Sequence, residues 1–316
     1  MSHYQNFIGI DIGKVEFVVA LHGNKKVKTY DNTPLGFKAF LKDFKQELPN
    51  SLVVLETTGG YETKLLLTLC DKKYNLHRAH TRKVKNFIRS FGNAAKTDAL
   101  DAKALALYGF ERQECLEIFT PVSENLSSLY ELVHRRKDLK QMLVAEKNRA
   151  KAPKISVLIK NSCENMITLL NEQILLITQQ IEALINSDPD FLARAEVLKT
   201  IPGIGNITAQ DLLALMPELG SLTRRQAASL AGVAPRANDS GKFKGYRHTA
   251  SGRESIKPIL FLSAMAARNS HSPLKAFYDT LIARGKKKMV ALTALMRKII
   301  VIANARLKPL AMKKIQ

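Results

Sequence analysis

Phe7-Ile8-Gly9-Ile10-Asp11-Ile12-Gly13 is the stretch on which the fold turns. It is apolar and β-branched, punctuated by glycine, and Val15 to Leu21 and Lys26 to Tyr30 repeat its character. Three short antiparallel strands in a meander are therefore expected at the start of the chain. Next, Pro34 to Leu48 sets Leu35, Phe37, Phe40, Leu41 and Phe44 at helical spacing, Ser51 to Leu55 reads as a buried strand, and Glu62 to Leu69 as a second helix. A meander followed by alternating helix and strand predicts an α/β sheet of mixed strand direction.

Beyond about Asp98 the pattern turns helical, giving an overall class of α/β plus α. Asn125 to Ile185 reads as long amphipathic helices, with Leu126, Leu129, Leu132, Val133, Leu139 and Leu143 on one side and Pro153 dividing two arms. Such arms either join subunits or fold back as an intramolecular hairpin. A further region begins near Leu198, where Ile201-Pro202-Gly203-Ile204-Gly205 lies between helical stretches. This is the hairpin sequence of helix-hairpin-helix modules, in which glycines allow close approach and free N–H groups at a helix start take a phosphate oxygen. A plain glycine turn between packed helices is the alternative. The expected domains are thus 1–120, a catalytic sheet domain; 121–196, a helical linker or dimerisation region; and 197–316, a mainly helical C-terminal domain.

The 316 residues suffice for more than one core, and 49 Lys+Arg against 28 Asp+Glu leave a formal net charge of +21. That excess points to a polyanion, nucleic acid or an anionic membrane. No window is apolar for the roughly 18 residues of a membrane span, and the N-terminus lacks a signal-peptide pattern. The expectation is a cytoplasmic, nucleoid-associated protein with no membrane partner. Cys70, Cys115 and Cys163 are dispersed and unpaired in sequence, which excludes a disulfide framework or zinc knuckle and reads as buried reduced thiols. After Asp279 ten basic residues and no acidic ones occur, from Arg284 to Lys314, as a phosphate-tracking surface would have.

Carboxylates carry the chemistry. Asp11 closes the first apolar strand, and Glu56 closes Leu52-Val53-Val54-Leu55 before the turn Thr57-Thr58-Gly59-Gly60. Asp98 and Asp101, three apart, share one face of a helix whose Ala99, Ala102, Ala104 and Ala106 permit close approach to the sheet. Each acid alone has an ordinary reading as a turn or helix-start residue. Four together suit hard divalent cations, a pair of which about 4 Å apart stabilises the attacking and leaving oxygens of a phosphoryl displacement.

The C-terminal region adds Gly232-Val233-Ala234-Pro235-Arg236-Ala237-Asn238-Asp239-Ser240-Gly241-Lys242. Ser240 lies among Arg236, Lys242, Lys244 and Arg247, cations that would bind a scissile phosphate beside a nucleophilic hydroxyl. A turn serine in a phosphate-binding loop is the alternative. Ser251 is a rival nucleophile, and Tyr246 a chemical one, although a tyrosine recombinase would need a dispersed Arg/His/Tyr set and no acidic cluster.

Together Gly9-Ile10-Asp11, Glu56 through Tyr61, Lys96-Thr97-Asp98 with Asp101-Ala102, Pro202 through Gly205, and Gly232 through Pro235 leading to Ser240-Gly241 resemble the Piv/MooV group of bacterial insertion-sequence transposases and DNA invertases. The likeness extends over nearly the whole chain. It departs at Ala250-Ser251, where relatives usually carry a basic residue before the glycine, and at Lys257-Pro258, where arginine is common. The resemblance implies a ribonuclease H-like, RuvC-like catalytic domain whose Asp11, Glu56, Asp98 and Asp101 hold Mg²⁺, with Mn²⁺ as substitute. It implies that Ser240 attacks a DNA phosphate, with Lys96, Gly203, Gly205, Arg236, Lys242, Lys244 and Arg247 contacting nucleic acid. The implied partners are double-stranded donor and target DNA, a structured noncoding bridge RNA that pairs with both, and a second copy in a dimer assembling into a tetramer. A protein-guided invertase and a hydrolytic RuvC-like nuclease are the competing activities.

Overall fold

The alternation along Asn6–Ile12 (β1) decides which side of the sheet each residue meets. In a computed structural model of the chain, describing residues 4–91, 97–241, 243–245 and 247–312, Ile8, Ile10 and Ile12 enter one core while Phe7 enters another. Glu16–Leu21 (β2) and Val27–Asp31 (β3) complete the expected meander, β1 pairing antiparallel with β2 and β2 with β3. Ser51–Glu56 (β4) lies parallel to β1, and Asn75–Ala79 (β5), a strand the sequence pattern does not announce, lies parallel to β4. The sheet order is β3-β2-β1-β4-β5, a mixed sheet as expected.

Helices cover both faces. Pro34–Asp43 (α1) starts behind the Thr33 cap, and with Thr63–Asp71 (α2) it packs Phe37, Phe40, Leu65 and Leu69 on the face of Ile8 and Ile10. Thr81–Arg89 (α3) and Asp98–Arg112 (α4) pack Val84, Phe87, Leu105 and Tyr108 against Phe7, Leu52 and Val54 on the other. Where α4 crosses β1 the backbones nearly touch: a Cβ on Gly9 would come within 2.1 Å of the Ala102 carbonyl oxygen. Only glycine fits there.

The chain divides into two compact units, Met1–Val122 and Ser123–Gln316. In the second, Glu124–Ala150 (α5) and Val157–Ser187 (α6) form the two long arms either side of Pro153 and pack along each other. Leu129, Val133, Ile181 and Ile185 join the core of Pro189–Lys199 (α7), Asn206–Leu215 (α8) and Arg224–Leu230 (α9). The apolar stripe of α5 is interrupted by Arg136, 2% exposed, whose guanidinium donates to Gln210 Oε1 at 2.5 Å and to Asp211 Oδ1 at 2.7 Å. Burial raises the Asp211 carboxyl against the opposing pull of Arg136. Two short hairpins follow, Pro235–Arg236 (β6) paired with His248–Thr249 (β9) and Asp239–Ser240 (β7) with Phe243–Lys244 (β8). Ile256–Ala267 (α10), Pro273–Ala283 (α11) and Lys288–Met312 (α12) close the unit.

Among the described residues no helix is long and apolar enough to cross a membrane. All three cysteines are free, but of the thiols expected to be buried only Cys163 is. Cys70 is half-buried and Cys115, at the end of the short 3-10 helix Gln113–Cys115 that follows α4, is exposed.

Candidate active site

Parallel pairing sets the first two acids side by side. Ile10 is level with Leu55, so the next residues, Asp11 and Glu56, end neighbouring strands together. Alternation gives Asp11 the face of Phe7 and Gly9, and Glu56 the face of Leu52 and Val54, which is the face that α4 covers. Both are half-buried.

α4 supplies the other two. Thr97 Oγ1 accepts the Leu100 N–H at 3.2 Å and caps the helix, placing Asp98 and Asp101 in its first turn, where the macrodipole favours acids. Gly109 packs on Phe7 and Val54, and Ala102 on Gly9 and Val18, so α4 runs antiparallel to β1. Its first turn therefore lies toward the Asp11 end, with Asp101 half-buried and Asp98 exposed. The four acids share one end and one face of the sheet. Among the described residues, however, no three His, Cys, Asp or Glu side chains gather closely enough to hold a metal ion. The donor set itself, all carboxylate oxygen, fits a hard divalent cation and not a soft one.

A fifth acid organises this end. Glu62 is fully buried, its Oε2 accepting from the Thr58 N–H (3.2 Å), the Thr58 hydroxyl (3.0 Å) and the Gly60 N–H (3.0 Å), and its Oε1 from Arg78 at 2.5 Å. Burial pushes its pKa up, but these donors outweigh it and hold the carboxyl below the ordinary value. The turn after Glu56 is thus fixed from inside, and Thr57 is tied to Ala79 and Thr81. Sequence reading placed Glu62 only as a helix start. The spacing of Thr58 and Gly60 ahead of an acid was the available signal, whereas Arg78 sits on the strand that local pattern does not reveal.

In the second unit Ser240 is exposed on β7, opposite Phe243, with Gly241 in the turn. Arg247 donates to Asp239 Oδ1 at 2.7 Å, an ion pair that the sequence reading did not foresee and that lowers the Asp239 pKa. Arg236 and Lys244 are exposed on their strands. Lys96, Lys242 and Tyr246 lie outside the described residues. The rival Ser251 has φ 58, its hydroxyl donates to its neighbour's carbonyl at 2.6 Å, and its own carbonyl presses on Gly232. It is an exposed residue of a left-handed turn.

The two glycines of the hairpin between α7 and α8 differ. Gly203, φ +90, abuts α10, where a Cβ would meet the Ser263 carbonyl at 2.2 Å, so its role is packing. Gly205 caps α8 with no side-chain hydrogen bond, and nothing lies within 4 Å of where its Cβ would be.

A family model described as a transposase, of DEDD type, matches residues 8–153, and a model of the transposase IS116/IS110/IS902 family matches residues 195–279. A pilin gene-inverting protein from Moraxella lacunata is 29% identical over 95% of both chains, and its namesake from Moraxella bovis is 29% identical over the same share. An insertion element IS110 protein from Streptomyces coelicolor is 34% identical across 46% of this chain and 36% of its own.

Proposed function

Because the chain belongs to the Piv/IS110 family of transposases, we propose that it is a DNA recombinase that cuts and rejoins strands with a RuvC-like acidic site and the Ser240 hydroxyl. The observation that carries this reading is the placement of Asp11 and Glu56 on adjoining strand ends, under the face on which the first turn of α4 brings Asp98 and Asp101. In a protein of net charge +21, four acids at one sheet end would repel DNA phosphates unless a cation intervenes. Asp11, Glu56, Asp98 and Asp101 would hold Mg²⁺ or Mn²⁺, which when bound neutralises charge on a phosphoryl oxygen. Glu62 and Arg78 hold the backbone after Glu56, so its carboxylate keeps its aim.

Ser240 Oγ forms a bond to phosphorus as the bond from phosphorus to one deoxyribose oxygen breaks. The serine proton leaves and the released deoxyribose oxygen gains one, so the phosphodiester is conserved as a phosphoserine diester available for resealing. Arg236, Lys242, Lys244 and Arg247 neutralise the phosphate, and the N–H groups after Gly205 add a phosphate contact of helix-hairpin-helix type. Donor and target DNA are chosen through a structured noncoding RNA, and the protein acts as a dimer assembling into a tetramer. The alternative, inversion guided by protein contacts alone, is favoured by the end-to-end likeness to pilin gene-inverting proteins.

The deciding experiment pairs Ser240→Ala with Ser251→Ala. Ser240→Ala is expected to bind DNA normally, form no protein–DNA covalent adduct and exchange no strands, while Ser251→Ala keeps the adduct. Normal recombination by Ser240→Ala removes the serine role, whereas free nicked ends with no protein-linked DNA from the unaltered protein favour the hydrolytic nuclease. Sequencing RNA that co-purifies with the protein separates guided recombination from the invertase reading.

A further inference from the structure

On the sheet face away from the four acids, α1 and α2 leave between them a groove of about 790 Å³. Lys38, Lys42 and Lys45 line it from one side, Lys64 and Lys72 from the other, with one acid, Asp71, in the lining. Lys38 and Lys42, i and i+4 on α1, share one helix face and Lys64 lies in the first turn of α2, while Lys45 and Lys72 follow just past the ends of the two helices. All five lysines are exposed, and among the described residues none of their ammonium groups has an ion pair or hydrogen bond. The nearby Asp43 is already held by Lys28 at 2.9 Å and by the Tyr30 hydroxyl at 2.9 Å, so it does not neutralise the row.

The groove also has a direction. Asn32 Nδ2 donates to the Gly13 and Tyr61 carbonyls, at 3.0 and 3.3 Å, tying the leading ends of both helices to the end of β1. Both helices thus start at the acid-bearing edge of the sheet and run away from it. Lys38 to Lys42 spans roughly 6 Å of α1 at about 1.5 Å per residue, and Lys45 extends the row past the helix end, so the row faces about two to three phosphates of one strand of duplex DNA. The lining has lysines and no arginine, point charges suited to phosphate and not to bidentate reading of bases. Its aromatic residues, Phe37 and Tyr74, are buried and half-buried, so no open ring offers a stacking platform for unpaired bases.

We infer that this lysine groove holds the sugar–phosphate backbone of the double-stranded DNA flanking the reaction site, leading it away from the acids around the sheet edge. The inference rests on the recombinase reading for the DNA being cut, but its test reads binding alone. The full-length protein and its Lys38→Gln, Lys42→Gln, Lys45→Gln triple variant are compared on a mixed-sequence DNA duplex of about 40 base pairs carrying photo-crosslinking groups on its phosphates. Three lost phosphate contacts should weaken affinity about 10-fold or more at moderate salt and lower the log–log salt slope by about 2–3. Crosslinked peptides from Pro34–Asp43 and Thr63–Asp71 should disappear in the variant, while its thermal melting is unchanged. Unaltered affinity and slope overturn the inference, as does an absence of crosslinks to both helices. Loss confined to a structured RNA probe overturns it too, since the groove would then be an RNA site. The recombinase reading fails separately, through Ser240→Ala.

Discussion

Replacing Gly9 by alanine inserts a methyl group where α4 crosses β1. The new Cβ would lie 2.1 Å from the Ala102 carbonyl oxygen and 2.2 Å from the Ala106 nitrogen, both helix backbone atoms that cannot rotate aside. Ordinary contact begins near 3.4 Å, so α4 must lift from the sheet by roughly 1.3 Å, the shortfall from 2.1 Å. Forcing a methyl into such packing costs about 1–3 kcal/mol, a fall in melting temperature of roughly 3–5 °C per kcal/mol for a unit of this size. The same shift displaces Asp98 and Asp101 relative to Asp11 and Glu56, and misplacement by about 1 Å slows a reaction on the order of 100-fold. Single-turnover strand cleavage, duplex binding and thermal unfolding are measured together. The expected variant binds DNA, melts earlier and cleaves about 100-fold more slowly. Cleavage within a factor of about three of wild type, with unchanged melting, would refute the claim that α4 must sit on Gly9 to bring its acids to the site.

Glu62→Gln should destabilise the first unit by about 2–4 kcal/mol, because an amide group cannot accept from Arg78 and the Thr58 and Gly60 donors at once. As the Glu62 pKa is lowered from 4.5, its stabilisation is present above that pH and lost as pH falls through the lower folded value. The gap between wild type and variant in urea unfolding should therefore narrow in strong acid. Arg136→Ala, which leaves buried Gln210 and half-buried Asp211 without their donor, should cost about 2–4 kcal/mol. The double change Arg136→Met with Asp211→Leu should cost less than either single change, as chemical denaturation would show. Gly203→Ala should lower the melting temperature of the second unit through its clash with α10, whereas Gly205→Ala, with nothing near its Cβ, should cost only the poorer capping of α8 by alanine, about 0.5–1 kcal/mol.

Local pattern carried much of the architecture. The meander, β4, the two helices of the first core and the paired arms each declare themselves through alternation or 3.6-residue spacing, which burial of one face imposes on the sequence. The acids Asp11 and Glu56 were legible because a charged residue ending an apolar strand breaks that pattern. β5 was not legible: Asn75, His77 and Arg78 are polar, and as an edge strand it gains order from pairing with β4 more than from burying apolar residues.

The sequence by itself determined a basic chain of mixed-sheet and helical build, and the order of its motifs carried the likeness to a transposase family, since charge, periodicity and ordered motifs are properties of the chain read in one dimension. The tertiary structure alone decided which groups meet across long separations. Glu62 is matched to Arg78 sixteen residues on, Arg136 to Asp211 seventy-five residues on, and Gly203 to α10. It also turned the lysines of α1 and α2 toward a common groove on the far side of the sheet from the acids. The physical reason is that a buried charge or a forbidden methyl is defined by what lies opposite it, and spacing along the chain records only the face a residue shares with its neighbours.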